Sequence, residues 1–380
     1  MTDYKRLFQR SIAAAPDRLH FAAHSHHLWP DASYVGQLAC WQDAARLADR
    51  KWGRVMDELW PAAQRHVADE LRLPDPSTVM FAGNTHDFLI RIRSALPARP
   101  LRILTTEGEF HSFRRQTARW AESGDVTLHR EPVGPDLIDR LIARARAERF
   151  DLIWVSQVMF GTGFVVPGWE RLADLADPDG PWVVIDGYHG FMAMPTDLSG
   201  VADRLFYLSG GYKYAMSGEG VALMHAPHGF GARPMLTGWY AEFEDLSLPP
   251  GSVGYAPDAR RFMGATFDPS GIYRFVAVRD MLRDAALDTA AISAHAAGLR
   301  DAFLAGRGRT VLADAELLNP PSAGASARFL ALRTADAARI QAGLAERDVI
   351  TDVRGDVLRI GFGLYQSDRD VGSLLDHLAA

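Results

Sequence analysis

Cysteine is nearly missing from this 380-residue chain: Cys40 stands alone, so no disulfide can close within it. A chain without disulfides suits a reducing compartment, and the expected location is the cytoplasm. No apolar run is long enough to cross a bilayer. Residues 1–15 hold no apolar stretch followed by a secretory cleavage site. Excess positive charge is missing too. The formal net charge is −6, whereas surfaces for nucleic acid or anionic membranes show themselves as basic patches, so neither partner is expected. Lysine is scarce, with only Lys5, Lys51 and Lys213. Repeats and low-complexity segments are absent. What is there is ordinary globular material, 48% hydrophobic and 23% charged, long enough for one large core and a smaller second one.

The middle of the chain alternates short apolar runs with helical patterns. Strands are expected at 102–105, 152–156, 182–185, 204–208 and 221–226, and helices at 87–96, 113–123, 135–149 and 169–176. Buried strands alternating with helices predict an α/β layer around a mainly parallel sheet. The tail differs. A long Ala-rich helical stretch over 272–304 precedes strands at 327–332 and 357–361, a helix at 335–346 and a last helix from Ser367, which suits a small α+β domain. The expected division is an N-terminal segment 1–45, a large domain 46–268 and a small C-terminal domain 269–380. The break falls at Asp268-Pro-Ser-Gly271.

Two residues carry the chemistry. Asp186 ends the run Trp182-Val-Val-Ile-Asp186, and Lys213 lies in Gly210-Gly-Tyr-Lys-Tyr214 with a strand between them. A strand-end aspartate alone most often caps a helix, and a lone lysine in a turn is most often on the surface. Together, at the carboxyl edge of a parallel sheet, they form a ligand site. Their types suit pyridoxal 5'-phosphate (PLP): a lysine to form the Schiff base, and a carboxylate to keep the pyridine nitrogen protonated. Tyr212 and Tyr214 would help desolvate the amine. The histidines of His24-Ser-His26-His27 show no third ligand at a recognised zinc spacing, so no metal is expected. Gly229-Phe-Gly231 is a turn outside any strand–glycine–helix unit, not a dinucleotide fingerprint.

Asp186-Gly-Tyr-His189, Tyr212-Lys213-Tyr214 and Ser156-Gln-Val-Met-Phe-Gly-Thr-Gly163 resemble the class V aminotransferase superfamily of fold-type I PLP enzymes. Within it the chain is most similar to kynureninases, from about His20 to the C-terminus. The resemblance implies PLP as cofactor and a large PLP-binding domain followed by a small one. Lys213, Asp186 and Tyr212 would be catalytic. Asn84, Thr85 and His86, opening a helix, would cradle the phosphate, unless they only cap that helix. Phe110 would stack on the pyridine ring, with Ser156 and His189 close to the cofactor. Tyr212 would bind phosphate and donate a proton. Trp239 would reach the phosphate of a neighbouring subunit, which implies a homodimer with shared active sites. Arg359, followed by Leu364-Tyr365, would grip the substrate carboxylate, and His26 would touch substrate at the mouth.

The chain departs from the kynureninase pattern in three places. Thr266 stands near an expected asparagine and could still bond the phosphate. Phe113 replaces an aspartate, and Tyr188 adds bulk beside His189. The resemblance implies hydrolysis of a Cβ–Cγ bond through an external aldimine and a quinonoid. Transamination of a small amino acid, or an inactive PLP-fold binding protein, stays open. Cysteine desulfuration is not expected, because Cys40 falls in a helical stretch away from the loops that reach substrate.

Overall fold

The computed structural model describes residues 4–97, 99–245, 251, 253–321 and 325–379. Seven strands build the main sheet. Their spatial order is Val79–Ala82, Ala222–His225, Leu205–Gly210, Trp182–Asp186, Leu152–Ser156, Leu101–Thr106 and Val126–Glu131. Ala222–His225 runs against its two neighbours and the other pairings are parallel. The architecture is the expected α/β layer with a mainly parallel sheet. Every residue of Leu152–Ser156, Trp182–Asp186 and Leu205–Gly210 is buried. An unbroken apolar run, rather than alternation, is what a strand covered on both faces requires. The covering helices show the complementary pattern. Leu137–Ala147 buries Leu137, Ile138, Leu141 and Ile142, a stripe along one face.

Register sets the site. Ser156 lies opposite Asp186, and Asp186 opposite Leu208, across parallel pairs. The strand after Asp186 therefore ends at the same edge, and the chain that leaves it at Gly210 delivers Lys213 there.

The strands Val79–Ala82 and Val126–Glu131 were not anticipated from sequence. The first has only four residues. The second mixes buried and exposed positions, as an edge strand does, and hides its signal. The helical stretch 272–304 is in fact two helices, Ser270–Asp284 and Thr289–Gly306. Ala286 breaks it with φ +52°, and the Asp288 carboxylate accepts from the Ala291 N–H to start the second helix. The break changes partners. Ile272, Phe275 and Leu282 of the first helix join the large core, whereas Ala296, Leu299 and Phe303 of the second join the small one.

That small unit is a four-stranded antiparallel sheet, ordered Asp352–Arg354, Val357–Gly361, Phe329–Arg333 and Glu316–Leu317. The last helix, Asp368–His377, begins with a capping box between Ser367 and Asp370. The N-terminal segment ties the two units. Leu19–His20 pairs with Val349–Ile350 and Phe21 sits in the small core, while Phe8 and Ala23 sit in the large one.

Helix Asp31–Leu47 crosses Ser270–Asp284 at Gly36. A Cβ there would lie 2.6 Å from the Tyr273 carbonyl oxygen and 2.9 Å from the Arg274 Cα. Alanine gains up to about 1 kcal/mol of helix propensity, but the neighbour is backbone and cannot swing aside. Gly36→Ala is expected to destabilise the protein by about 1–3 kcal/mol, read from the urea midpoint. A stabilised variant would show that the helices can part freely.

Candidate active site

Lys213 leaves the Leu205–Gly210 strand at the sheet's carboxyl edge and turns its amine inward. Lys213 Nζ donates to Nε2 of His189 at 2.7 Å. It lies 4.6 Å from the centre of the Tyr188 ring and 5.6 Å from that of Phe110. Asp186, at the end of its strand, lines the same cavity, together with Thr85, Ser156, Phe160 and Tyr212. The Asp186 Oδ1 accepts the Tyr188 N–H at 3.0 Å.

Burial drives the electrostatics. It lowers Lys213 to about 7, against the pull of Asp186, which favours the charged amine. It raises Asp186 to about 6, with the Tyr188 N–H and then Lys213 working the other way. His189 is held well below its ordinary range, first by burial and then by Lys213. A neutral His189 accepting on Nε2 carries its proton on Nδ1, and that buried nitrogen has no partner among the described residues.

The residues singled out in the sequence do not all meet in one place. Thr85, Phe110, Ser156, Asp186, His189, Tyr212 and Lys213 all line the cavity. Asn84 and His86 flank it. The Asn84 side chain accepts from the Asp87 N–H and caps helix Thr85–Ala95. His86 faces a neighbouring groove with His111 and Arg114. Trp239 and Thr266 lie elsewhere on the surface, joined by a 3.3 Å hydrogen bond from Trp239 Nε1 to Thr266 Oγ1. Phe113 turns into the core and stacks on Trp154, 4.8 Å between ring centres.

Arg359 comes from the small unit and is not among the residues lining the cavity. Its strand is flanked on both sides, so the residue is only 3% exposed rather than at an edge. Nη2 meets the Asp352 carboxylate at 2.6 Å and Nη1 donates to the Phe160 carbonyl at 2.5 Å. His26 is exposed and stacks over Tyr212 at 4.8 Å, with Glu219 3.5 Å from its Nε2. His24 turns inward instead, against Phe329, so the histidines diverge.

One buried residue beside the cavity escaped the sequence reading. Glu109, next to Phe110, is fully buried. Its Oε1 accepts from Thr106 Oγ1 (2.7 Å) and the Ser156 N–H (3.1 Å), and its Oε2 accepts from Ser156 Oγ (2.6 Å). The Ser156 hydroxyl is thereby committed to a carboxyl group behind the cavity wall. Burial raises Glu109 to about 7, tempered by the bonds from Ser156 and Thr106, while nearby Asp186 adds to the rise. The only sequence signal was a second acid in Glu107-Gly-Glu109-Phe110, and nothing there marks which of the two turns in.

Comparison with known proteins agrees with this architecture. Residues 292–378 match the kynureninase C-terminal domain. No curated protein matches the chain. Among solved structures, a lysine-to-alanine mutant of C-DES with glycine covalently linked to its PLP cofactor superposes with a TM-score of 0.81. It shares 16% identity over 97% of this chain and 98% of its own. The apo cysteine desulfurase of Thermococcus onnurineus NA1 gives 0.79 at 17% identity, covering 99% of this chain and 97% of its own. The cysteine desulfurase CsdA of Escherichia coli gives 0.79 at 17%, covering 99% and 98%. The fold is that of the fold-type I PLP enzymes.

A carboxyl group whose folded value is raised stabilises the fold while protonated. For Glu109 that contribution is full below its ordinary value near 4.5 and is lost as pH rises through about 7. The cofactor-free protein is therefore expected to lose on the order of 1–3 kcal/mol between pH 5 and 7 through this group. Glu109→Gln should flatten that part of the urea-midpoint profile. Identical slopes in the two proteins would mean that Glu109 is not the titrating group.

Proposed function

We propose that this chain is a PLP-dependent enzyme acting on an amino acid, with kynureninase-like hydrolysis of a Cβ–Cγ bond as its reaction. The observation that carries the reading is Lys213, a buried amine at the ligand edge of the sheet with a carboxylate and an aromatic face beside it. The residues present fit the cofactor. Asp186 Oδ2 takes no hydrogen bond among the described residues, and His189 Nδ1 is a buried donor lacking an acceptor. Thr85 opens a helix whose first-turn N–H groups favour an anion. Lys213 would carry the group, Asp186 would face the pyridine nitrogen, Phe110 its ring face, and Thr85 with Tyr212 its phosphate. When bound, PLP supplies an electron sink for the pair left at Cα once a proton is removed.

The chain's own side chains do the remaining work. Lys213 Nζ, partly neutral near pH 7, can take the Cα proton. Burial pushes the Tyr212 phenol up, so it stays protonated and can donate to the departing carbon. Arg359 receives the substrate carboxylate, because a planar guanidinium matches it. The kynureninase C-terminal match contains Arg359 and Leu364-Tyr365, which supports this choice of reaction. Cys40 does not favour sulfur transfer: it sits half-buried on helix Asp31–Leu47, lines no part of the cavity, and burial raises its thiol.

The visible spectrum before and after borohydride tests the cofactor. A band that borohydride bleaches is expected with PLP, and Lys213→Ala should lack it. Without such a band at excess PLP, the chain shares only the fold. Incubation with kynurenine should then release alanine. Amino-group exchange with a keto acid and no alanine would replace hydrolysis by transamination.

The same reading includes a homodimer. Tyr34, Val35, Leu38 and Trp41 leave an apolar stripe exposed on helix Asp31–Leu47, and Trp239 is exposed as well. Sedimentation should give twice the chain mass, with Trp41→Asp shifting the protein toward monomer. A monomer at micromolar concentration would remove the shared-site proposal.

A further inference from the structure

The carboxylate site assigned to Arg359 is not a bare guanidinium. Strand pairing places Asp352 directly opposite Arg359, and their 2.6 Å contact is buried on both sides. An arginine that has already met a carboxylate presents little net charge to a second one. Arg354 lies two residues further along the same strand, with Nη1 3.2 Å from the other oxygen of Asp352. Two guanidinium groups thus flank one carboxylate, and the three residues together carry a single positive charge.

Neighbouring groups place this charge at the active site. Arg359 binds the carbonyl of Phe160, which lines the Lys213 cavity. The Phe160 ring packs 5.0 Å from that of His111 and 5.2 Å from that of Phe110. Arg354 also lines a groove with Ser25 and His26, and His26 is the ring stacked over Tyr212. The three charges are felt at the cavity: Arg359 and Arg354 lower Lys213 while Asp352 raises it. His111 is lowered by both arginines as well, after burial and Arg114. One nitrogen of Arg359, Nε, is buried without an acceptor.

We propose that the substrate carboxylate is received by a charge-balanced triad, Arg354–Asp352–Arg359, in which Arg354 is a specificity-determining residue. This rests on the assignment of the carboxylate site to Arg359 made above. Asp352 fixes the Arg359 fork and cancels its charge. Arg354, on the far side, restores one positive charge, so that one carboxylate closes the balance at two of each sign. A neutral amide of the same shape gains nothing from that balance. Without Arg354, the buried pair is neutral, and an incoming carboxylate is left facing Asp352. If Arg354 only ties down the end of its strand, its charge has no bearing on ligand choice.

The test uses 3-phenylpropionate, which has a carboxylate and no amino group, against 3-phenylpropionamide. Binding to the purified protein, with and without added PLP, is measured by titration calorimetry. The unsubstituted protein should prefer the acid. Arg354→Gln, at a half-exposed position, should weaken acid binding about fivefold and leave the amide unchanged. Adding Asp352→Asn to Arg354→Gln restores the single positive charge, and acid binding should return to within about twofold of the original. No preference for the acid in the unsubstituted protein, no change in Arg354→Gln, or no recovery in the double variant each overturns the triad. Arg359→Gln separates the two readings. If it abolishes the acid preference while Arg354→Gln does not, the anchor stands and only the triad fails. If Arg359→Gln has no effect, the anchor itself is wrong.

Discussion

Keeping the Lys213 amine away from water is the constraint around which the site is organised. A buried ammonium is costly unless paired, so burial makes the neutral amine accessible while the groups around it offset part of the cost of the charged form. His189 accepts its hydrogen bond, Tyr188 and Phe110 present ring faces, and Asp186 supplies a carboxylate across the cavity. Burial moves the amine down and the carboxyl up, so their titration ranges approach one another near neutrality. Opposed shifts in one cavity are what the proton movement of the proposed reaction would require. The buried Glu109 adds a third such group, one wall behind the others.

The sheet makes that burial affordable to the backbone. Parallel strands covered on both faces end at a common edge, where their last residues need no further ladder partners. Ser156, Asp186 and the exit from Gly210 arrive there through register alone. The small unit closes the site from the other side. Phe329 lies 5.5 Å from the His189 ring and 4.7 Å from His24, ring centre to ring centre. The segment around residues 19–27 therefore does more than lead into the large domain. It pairs with Val349–Ile350 of the small unit, stacks His24 on Phe329 and lays His26 over Tyr212. A shift between the two units would set the His26–Tyr212 contact against the two contacts the segment makes with the small unit.

Much of this was legible in the sequence, for a definite reason. Asp186 and Lys213 follow short apolar runs that can only be buried strands, so their positions at strand ends follow from chain direction. Arg359 was legible as a residue but not in its surroundings. Its partner Asp352 is brought opposite by antiparallel pairing across a tight turn, and a register of that kind is invisible to composition. Thr85, Asn84 and His86 show the same limit on a smaller scale. Successive residues at a helix start point about 100° apart, so of three neighbours only Thr85 faces the cavity. Glu109 and Glu107 differ in burial, although only Gly108 separates them. The hydroxyls of Thr106 and Ser156, one of them from another strand, determine which acid turns inward.

The close structural neighbours sharpen the question of what selects the reaction. Fold is shared across nearly the whole chain at 16–17% identity, so the sheet and its lysine edge cannot be what distinguishes one chemistry from another. The distinction has to lie in groups that meet the substrate beyond its Cα. In this chain the groups proposed for that contact come from two directions. Phe110 and Phe160 line the cavity and His111 packs against both from the neighbouring groove, with ring centres 5.0–5.6 Å apart. Arg359, with Asp352 behind it, faces those rings from the small sheet, tied to them through the Phe160 carbonyl. A flat, carboxylate-bearing substrate satisfies both surfaces. A small thiol-bearing one would leave the aromatic rings uncovered, and the chain's single cysteine lies outside the cavity to receive its sulfur. Under the proposed reading, the aromatic rings and Arg359, more than the lysine, are what would select an aromatic amino acid.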